Sequence, residues 1–175
     1  MDTQDELRSV TCCFTGHRPD RLAGGYNQSN NICTRLRAAL RAEIENAVLQ
    51  GYTRFISGMA QGADMWAAEE VIRLRDKGYN LNLVAALPCP NQDSRWPEYA
   101  RIKYRQLLER ADEVHLISER YTPLCMGARN LWLVTQSSMV IALYDGGKRG
   151  GTANTLAHAR RFGLHIVRIN PADFR

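Results

Sequence analysis

The chain lacks most of the short signatures that announce a chemistry. Its 175 residues contain no Walker A lysine loop, no G-x-S-x-G nucleophile elbow and no G-x-G-x-x-G dinucleotide fingerprint. The five cysteines, Cys12, Cys13, Cys33, Cys89 and Cys125, form no C-x-x-C pair, and no close Cys/His pairing has zinc-ligand spacing, so no metal is assigned. No apolar stretch approaches the roughly 20 residues of a membrane span, which argues against a membrane partner. The opening Met1-Asp2-Thr3-Gln4-Asp5-Glu6 is acidic and polar and does not read as a secretory signal. Buried thiols in a reducing cytoplasm are therefore expected, with a frayed tail over residues 1–8.

What is present is ordinary in bulk and unusual in its glycines. A hydrophobic fraction of 45% and a charged fraction of 23% suit one soluble domain over residues 9–175. The formal net charge of +5 fits an anionic ligand, nucleotide or nucleic acid, although the densest basic clusters are only Lys148-Arg149 and Arg160-Arg161.

Strand-like and helix-like patterns alternate throughout. Strands are predicted over 9–15, 53–57, 80–87, 113–118, 139–144 and 164–169. Helices are predicted over 31–50, 63–77, from Pro97, over about 127–136, and from a Thr152 cap to Gly163. This order implies an α/β, Rossmann-like, open and mostly parallel sheet of about six strands with helices on both faces. The segments 18–30 and 88–96 are long for such connections, and long loops are often functional. The apolar run Leu131-Trp132-Leu133-Val134 suggests a helix buried on several faces, within the monomer or in a homo-oligomer.

In open α/β sheets, ligands bind beyond the carboxyl ends of the strands. The unusual loops all fall at that end. The first strand runs into Thr15-Gly16-His17-Arg18-Pro19. The second runs into Ser57-Gly58-Met59-Ala60-Gln61-Gly62-Ala63-Asp64, the third into Pro88-Cys89-Pro90-Asn91, and the fifth into Asp145-Gly146-Gly147-Lys148-Arg149-Gly150-Gly151-Thr152. Glycine lets backbone approach an anion closely, and a helix N-terminus presents free N–H groups. The candidate ligand-binding residues are Thr15, Gly16, His17, Arg18, Ser57, Gly58, Gly62, Ala63, Asp64, Gly150, Gly151 and Thr152. Amides of both glycine loops would carry a phosphate, helped by the Ser57 and Thr152 hydroxyls. Arg18 would act as a bidentate clamp. Asp64 would cap its helix or accept from a ribose hydroxyl. Arg129 and Asn130 are salt-bridge partners or crevice residues. His115 and His165 read as structural, His158 as surface, and Trp66, Trp96 and Trp132 as core or interface. No catalytic residue is assigned.

The motifs Phe14-Thr15-Gly16-His17-Arg18-Pro19, Ser57 to Asp64, and Tyr144-Asp145-Gly146 with Gly150-Gly151-Thr152 together resemble the YpsA-like branch of the SLOG (Smf/DprA–LOG) superfamily, from about Val10 to Asn170. The resemblance implies a Rossmann-like fold and a pocket for a nucleotide, NAD/ADP-ribose-like or a nucleoside monophosphate, in a sensor or accessory protein. It also implies two alternatives: N-glycosidic hydrolysis, as in LOG relatives, and DprA-like binding of single-stranded nucleic acid. LOG hydrolases carry P-G-G-x-G-T-x-x-E with a catalytic glutamate. Here Thr155 stands at that position, and a threonine supplies no acid–base group or charge. Hydrolysis would need another carboxylate, such as Asp64, Glu69 or Glu98.

Overall fold

The computed structural model describes residues 3–22 and 30–174. In chain order it runs α1 (Thr3–Ser9), β1 (Thr11–Gly16), α2 (Asn31–Leu49), β2 (Arg54–Ser57), α3 (Ala63–Asp76), β3 (Asn82–Leu87), α4 (Glu98–Arg110), β4 (Glu113–Leu116), α5 (Cys125–Thr135), β5 (Met139–Leu143), α6 (Gly151–Arg161) and β6 (His165–Ile169). Short 3₁₀ turns lie at Pro19–Arg21 and Pro171–Phe174. Of the long 18–30 connection anticipated from sequence, residues 23–29 lie outside the described residues.

The six strands form one all-parallel sheet in the order β4-β3-β2-β1-β5-β6. The chain winds outward from β1 to β4, then returns across the sheet to place β5 on the other side of β1. Neighbouring connections therefore diverge at the carboxyl ends of β1 and β5, which is where this architecture opens a crevice.

Strand alternation builds two cores. Cys12, Phe14, Phe55, Leu83, Ala85, Met139, Ile141 and Leu143 face α2, α3 and α4, against Leu36, Leu40, Ile44, Trp66, Val71, Tyr104 and Leu107. Cys13, Ile56, Val84, Ala86, Val140 and Ala142 face α5 and α6, against Leu133, Val134, Leu156 and Ala159. Both faces of the four inner strands are thus dry, which is why they read as nearly continuous apolar runs. Within 131–134, Leu133 and Val134 enter the second core, Trp132 stacks on His115 with ring centroids 4.1 Å apart, and Leu131 stays 38% exposed.

The N-terminal segment carries α1, which buries no side chain. It is tied at its end by Ser9 Oγ donating to the Glu6 carbonyl (2.6 Å) and Thr11 Oγ1 donating to the Leu7 carbonyl (2.6 Å). Thr152 does not cap α6. The helix begins two residues earlier, with Gly150 at the cap position and no side-chain cap bond.

The exit of β1 is the tightest point of the fold. A Cβ on Gly16 would lie 2.5 Å from Ala63 Cβ at the start of α3, and 2.9 Å from both Leu143 Cβ and the Leu143 carbonyl oxygen on β5. Neither neighbour is the far end of a flexible chain. Gly16→Ala should therefore destabilise the fold by about 1–3 kcal/mol. Urea unfolding should show a lower midpoint with an unchanged slope.

Candidate functional site

A cleft of about 280 Å³ opens at the carboxyl ends of β1 and β5. Thr15, Gly16, His17 and Arg18 line it from the β1 exit, Asp64 from α3, Arg129 and Asn130 from α5, and Gly150, Gly151 and Thr152 from the start of α6. Three of the sequence-selected segments are thus brought together, across the topological switch of the sheet.

The start of α6 supplies the donors. Gly150 has φ +106°, a conformation that strains any side chain, and it turns the chain directly into the helix. No side chain caps that helix, and among the described residues no hydrogen bond takes the amides of Gly151, Thr152 and Ala153. A helix of 11 residues ending in free N–H groups favours an anion there. The Thr155 hydroxyl donates to the Gly151 carbonyl (2.9 Å) and is buried inside the helix packing.

The Ser57 to Asp64 loop plays a different part from the one its glycines suggested. Ser57 is fully buried; its Oγ donates to the Asp64 carbonyl (2.8 Å) and accepts from Met59 N–H (3.1 Å). The Ala63 amide reaches the His17 carbonyl (3.4 Å). A Cβ on Gly62 would meet that same carbonyl at 2.6 Å. The β1 exit therefore plugs the N-terminus of α3. Ser57, Gly58, Gly62 and Ala63 do not line the cleft; they hold Asp64 in it. Met59 pays for this tight loop with a positive φ of 58°, rare for a non-glycine residue. The 88–96 loop does not line the cleft either; Gln92 Nε2 donates to the Gly58 carbonyl at 3.3 Å and buttresses the loop from outside.

Arg129 and Asn130 form the floor. Arg129 is 5% exposed, and its Nη1 donates to the Gly58 carbonyl (2.5 Å) while its Nε donates to Asn130 Oδ1 (3.0 Å). A Cβ on Gly58 would collide with this guanidinium at 2.6 Å and with Asp64 Oδ2 at 2.9 Å, so this glycine makes room for both side chains. Burial pulls the Arg129 pKa below its ordinary value, while Asp64 nearby supports the charge.

Three more arginines ring the opening. Arg18, Arg21 and Arg149 are exposed and have no ion-pair partner among the described residues. By contrast Arg37, Arg41, Arg73, Arg75 and Arg110 are bonded to carboxylates on the far side of α3 and α4. Arg21 carried no sequence signal beyond its charge, and Arg149 only its place in the second glycine loop.

His17 is 4% exposed and lies against the Tyr144 ring at 5.4 Å. Its Nε2 is 2.9 Å from Asp145 Oδ1 and 3.2 Å from the Asp145 amide, so the ring is anchored to the β5 exit. The Gly147 N–H and then His17 hold the Asp145 carboxyl below its ordinary pKa. Among the described residues, no group of three His, Cys, Asp or Glu side chains is placed to hold a metal ion. No helix among them is long and apolar enough to cross a membrane.

With this geometry in view, the family can be read directly. The family model described as the YspA SLOG family matches residues 12–171. The chain belongs to that family. Over 150 residues this SLOG chain is 30% identical to a UPF0398 protein of Halalkalibacterium halodurans, covering 85% of the chain and 79% of the relative. It is also 30% identical over 160 residues to an uncharacterized SPbeta prophage-derived protein of Bacillus subtilis, covering 83% and 92%. Among solved structures, the SLOG fold is shared with DNA processing protein A of Streptococcus pneumoniae (TM-score 0.58, 17% identity), with 94% of this chain aligned but only 51% of the other. DNA processing protein A of Helicobacter pylori, described for its single-stranded DNA binding mode, aligns with TM-score 0.60 at 13% identity over 99% of this chain and 74% of the other.

Asp64 is a buried carboxyl in the same cleft. It is 7% exposed, and among the described residues it makes no ion pair within 4.0 Å and accepts one long bond, from Ala60 N–H (3.4 Å). Burial raises its pKa to about 6, against the pull of Arg129, the Ala60 amide and Arg18. The Cys13 thiol near it is itself pushed up to about 12 by burial and stays neutral. A carboxyl raised in the folded state keeps a proton that the unfolded chain, titrating near 3.9, has already lost. Stability should therefore fall as pH rises from about 4 to about 6, by on the order of 2–3 kcal/mol. Asp64→Asn should be more stable than wild type at about pH 8, and this advantage should vanish below about pH 4. Thermal melts across that range check both points.

Proposed function

We propose that this SLOG domain binds a nucleotide or a nucleotide-derived phosphate ligand in the β1/β5 cleft, acting as a sensor or accessory module. One observation carries the reading: among the described residues, the uncapped α6 N-terminus has three unpartnered leading amides and opens into a cleft ringed by arginines with no carboxylate partner. The phosphate rests on the Gly151 to Ala153 amides and the Thr152 hydroxyl, and Arg18, Arg21 and Arg149 neutralise the rest of its charge. The Gly58–Gly62 loop serves as support and donates no amide to the phosphate.

A second reading, single-stranded nucleic acid with its phosphates along the same rim, draws on the three unpaired arginines and on the DNA-binding H. pylori neighbour. It predicts affinity for oligonucleotides that falls steeply with salt. N-glycosidic hydrolysis would have to use Asp64 or Asp20, because Glu69 and Glu98 do not line the cleft and Glu69 is bonded to Arg37 and Lys103.

The test begins with mass spectrometry of small molecules released from the purified protein, followed by calorimetry against the nucleotides found. Gly151→Pro removes one donor while keeping a φ suited to the first position of a helix. It should retain the fold and weaken the phosphate ligand by about tenfold or more, the worth of one charge-assisted hydrogen bond. Unchanged affinity would place the phosphate elsewhere.

A further inference from the structure

The floor of the cleft differs from its α6 side in a way that bears on what else the ligand carries. Three side chains there are more than nine-tenths buried and line the cavity: Asp64 (7% exposed), Arg129 (5%) and Asn130 (8%). Each has spare hydrogen-bonding capacity. Asp64 has four lone-pair sites and one long bond, from Ala60 N–H. Arg129 uses Nη1 and Nε on Gly58 and Asn130, with no partner at Nη2 among the described residues. Asn130 uses Oδ1 to accept from Arg129, and its Nδ2 has no partner among the described residues. That nitrogen lies 3.7 Å from where a Cβ of Gly151 would be, beside the leading turn of α6.

An acceptor-only carboxylate next to free donors does not suit a phosphate, whose oxygens also only accept and carry like charge. It suits hydroxyl groups, which donate to the carboxylate and accept from guanidinium and amide together. A buried carboxylate with no ion pair among the described residues also opposes folding, so its presence in the cleft calls for a compensating role in binding.

We propose that Asp64, with Arg129 and Asn130, reads vicinal hydroxyls of a sugar, so that the ligand is a phosphorylated sugar or a nucleotide entering sugar-first against the floor with its phosphate on α6. This rests on the phosphate reading above and adds orientation and specificity to it. Asp64 accepts from two neighbouring hydroxyls, and Asn130 Nδ2 bridges the sugar and phosphate ends. In this orientation the base of a nucleotide would face the rim, where Arg18 and Arg149 stand.

The experiment titrates the whole protein at pH 8 with ribose 5-phosphate, 2-deoxyribose 5-phosphate and inorganic phosphate, in wild type and in Asp64→Asn. The variant is isosteric and keeps an acceptor for Ala60 N–H; its melting temperature is recorded to show that it is folded. Wild type should bind ribose 5-phosphate at least about tenfold tighter than the deoxy sugar, the scale of one hydrogen bond to a charged group. In Asp64→Asn that preference should shrink to about twofold or less, with inorganic phosphate affinity unchanged or increased as a nearby negative charge is removed. Equal affinity for the two sugars in wild type, or a preference that survives in Asp64→Asn, overturns the assignment while leaving the phosphate site standing. Failure of all three probes to bind overturns the phosphate site and this assignment together.

Discussion

The arrangement depends on how closely three elements approach at the end of β1. Gly16 has no side chain, and that alone lets the first residue of α3 and the last residue of β5 press against the same stretch of backbone. From that contact follow the His17 carbonyl closing onto the α3 N-terminus, the His17 amide bonded to Leu143, and the His17 ring anchored to Asp145. The end of the central strand is thus held to α3 on one side and to β5 on the other. The opening between those connections is the cleft.

The cleft separates two kinds of chemistry. On one side stand backbone donors from α6, rigid and free of titration, with exposed arginines around them. On the other stands a buried polar floor that the protein maintains against its own stability. Burial raises Asp64 despite two nearby arginines, and Arg129 is desolvated to reach the Gly58 carbonyl. A packed apolar floor would stabilise more, since buried charges rarely repay their desolvation. The polar floor is built on α3 and α5, two helices on opposite faces of the sheet, and the Arg129–Gly58 bond ties α5 to the loop that precedes α3.

The two glycine loops looked equivalent as sequence, each lying between a strand and a helix. They differ because only one helix start is left open. At α3 the space before the first turn is occupied by the His17 carbonyl and Pro19, and Ser57 closes the loop from within. At α6 nothing comparable intervenes among the described residues. That difference depends on the path of the chain after β1, which no local pattern in 57–64 or 145–152 encodes.

Periodicity and punctuation in the chain determined the alternating elements, the parallel sheet, and the gathering of the Thr15–Arg18, Asp64 and Gly150–Thr152 segments at one end. These are consequences of local hydrogen bonding and one-sided burial, which act over a few residues. The order in which strands lie side by side, the sealing of the α3 N-terminus, and the presence of Arg21, Arg129, Asn130 and Arg149 around the same cleft were decided only by tertiary structure. They are contacts between residues tens of positions apart, and their energy exists only once the sheet has brought those residues together.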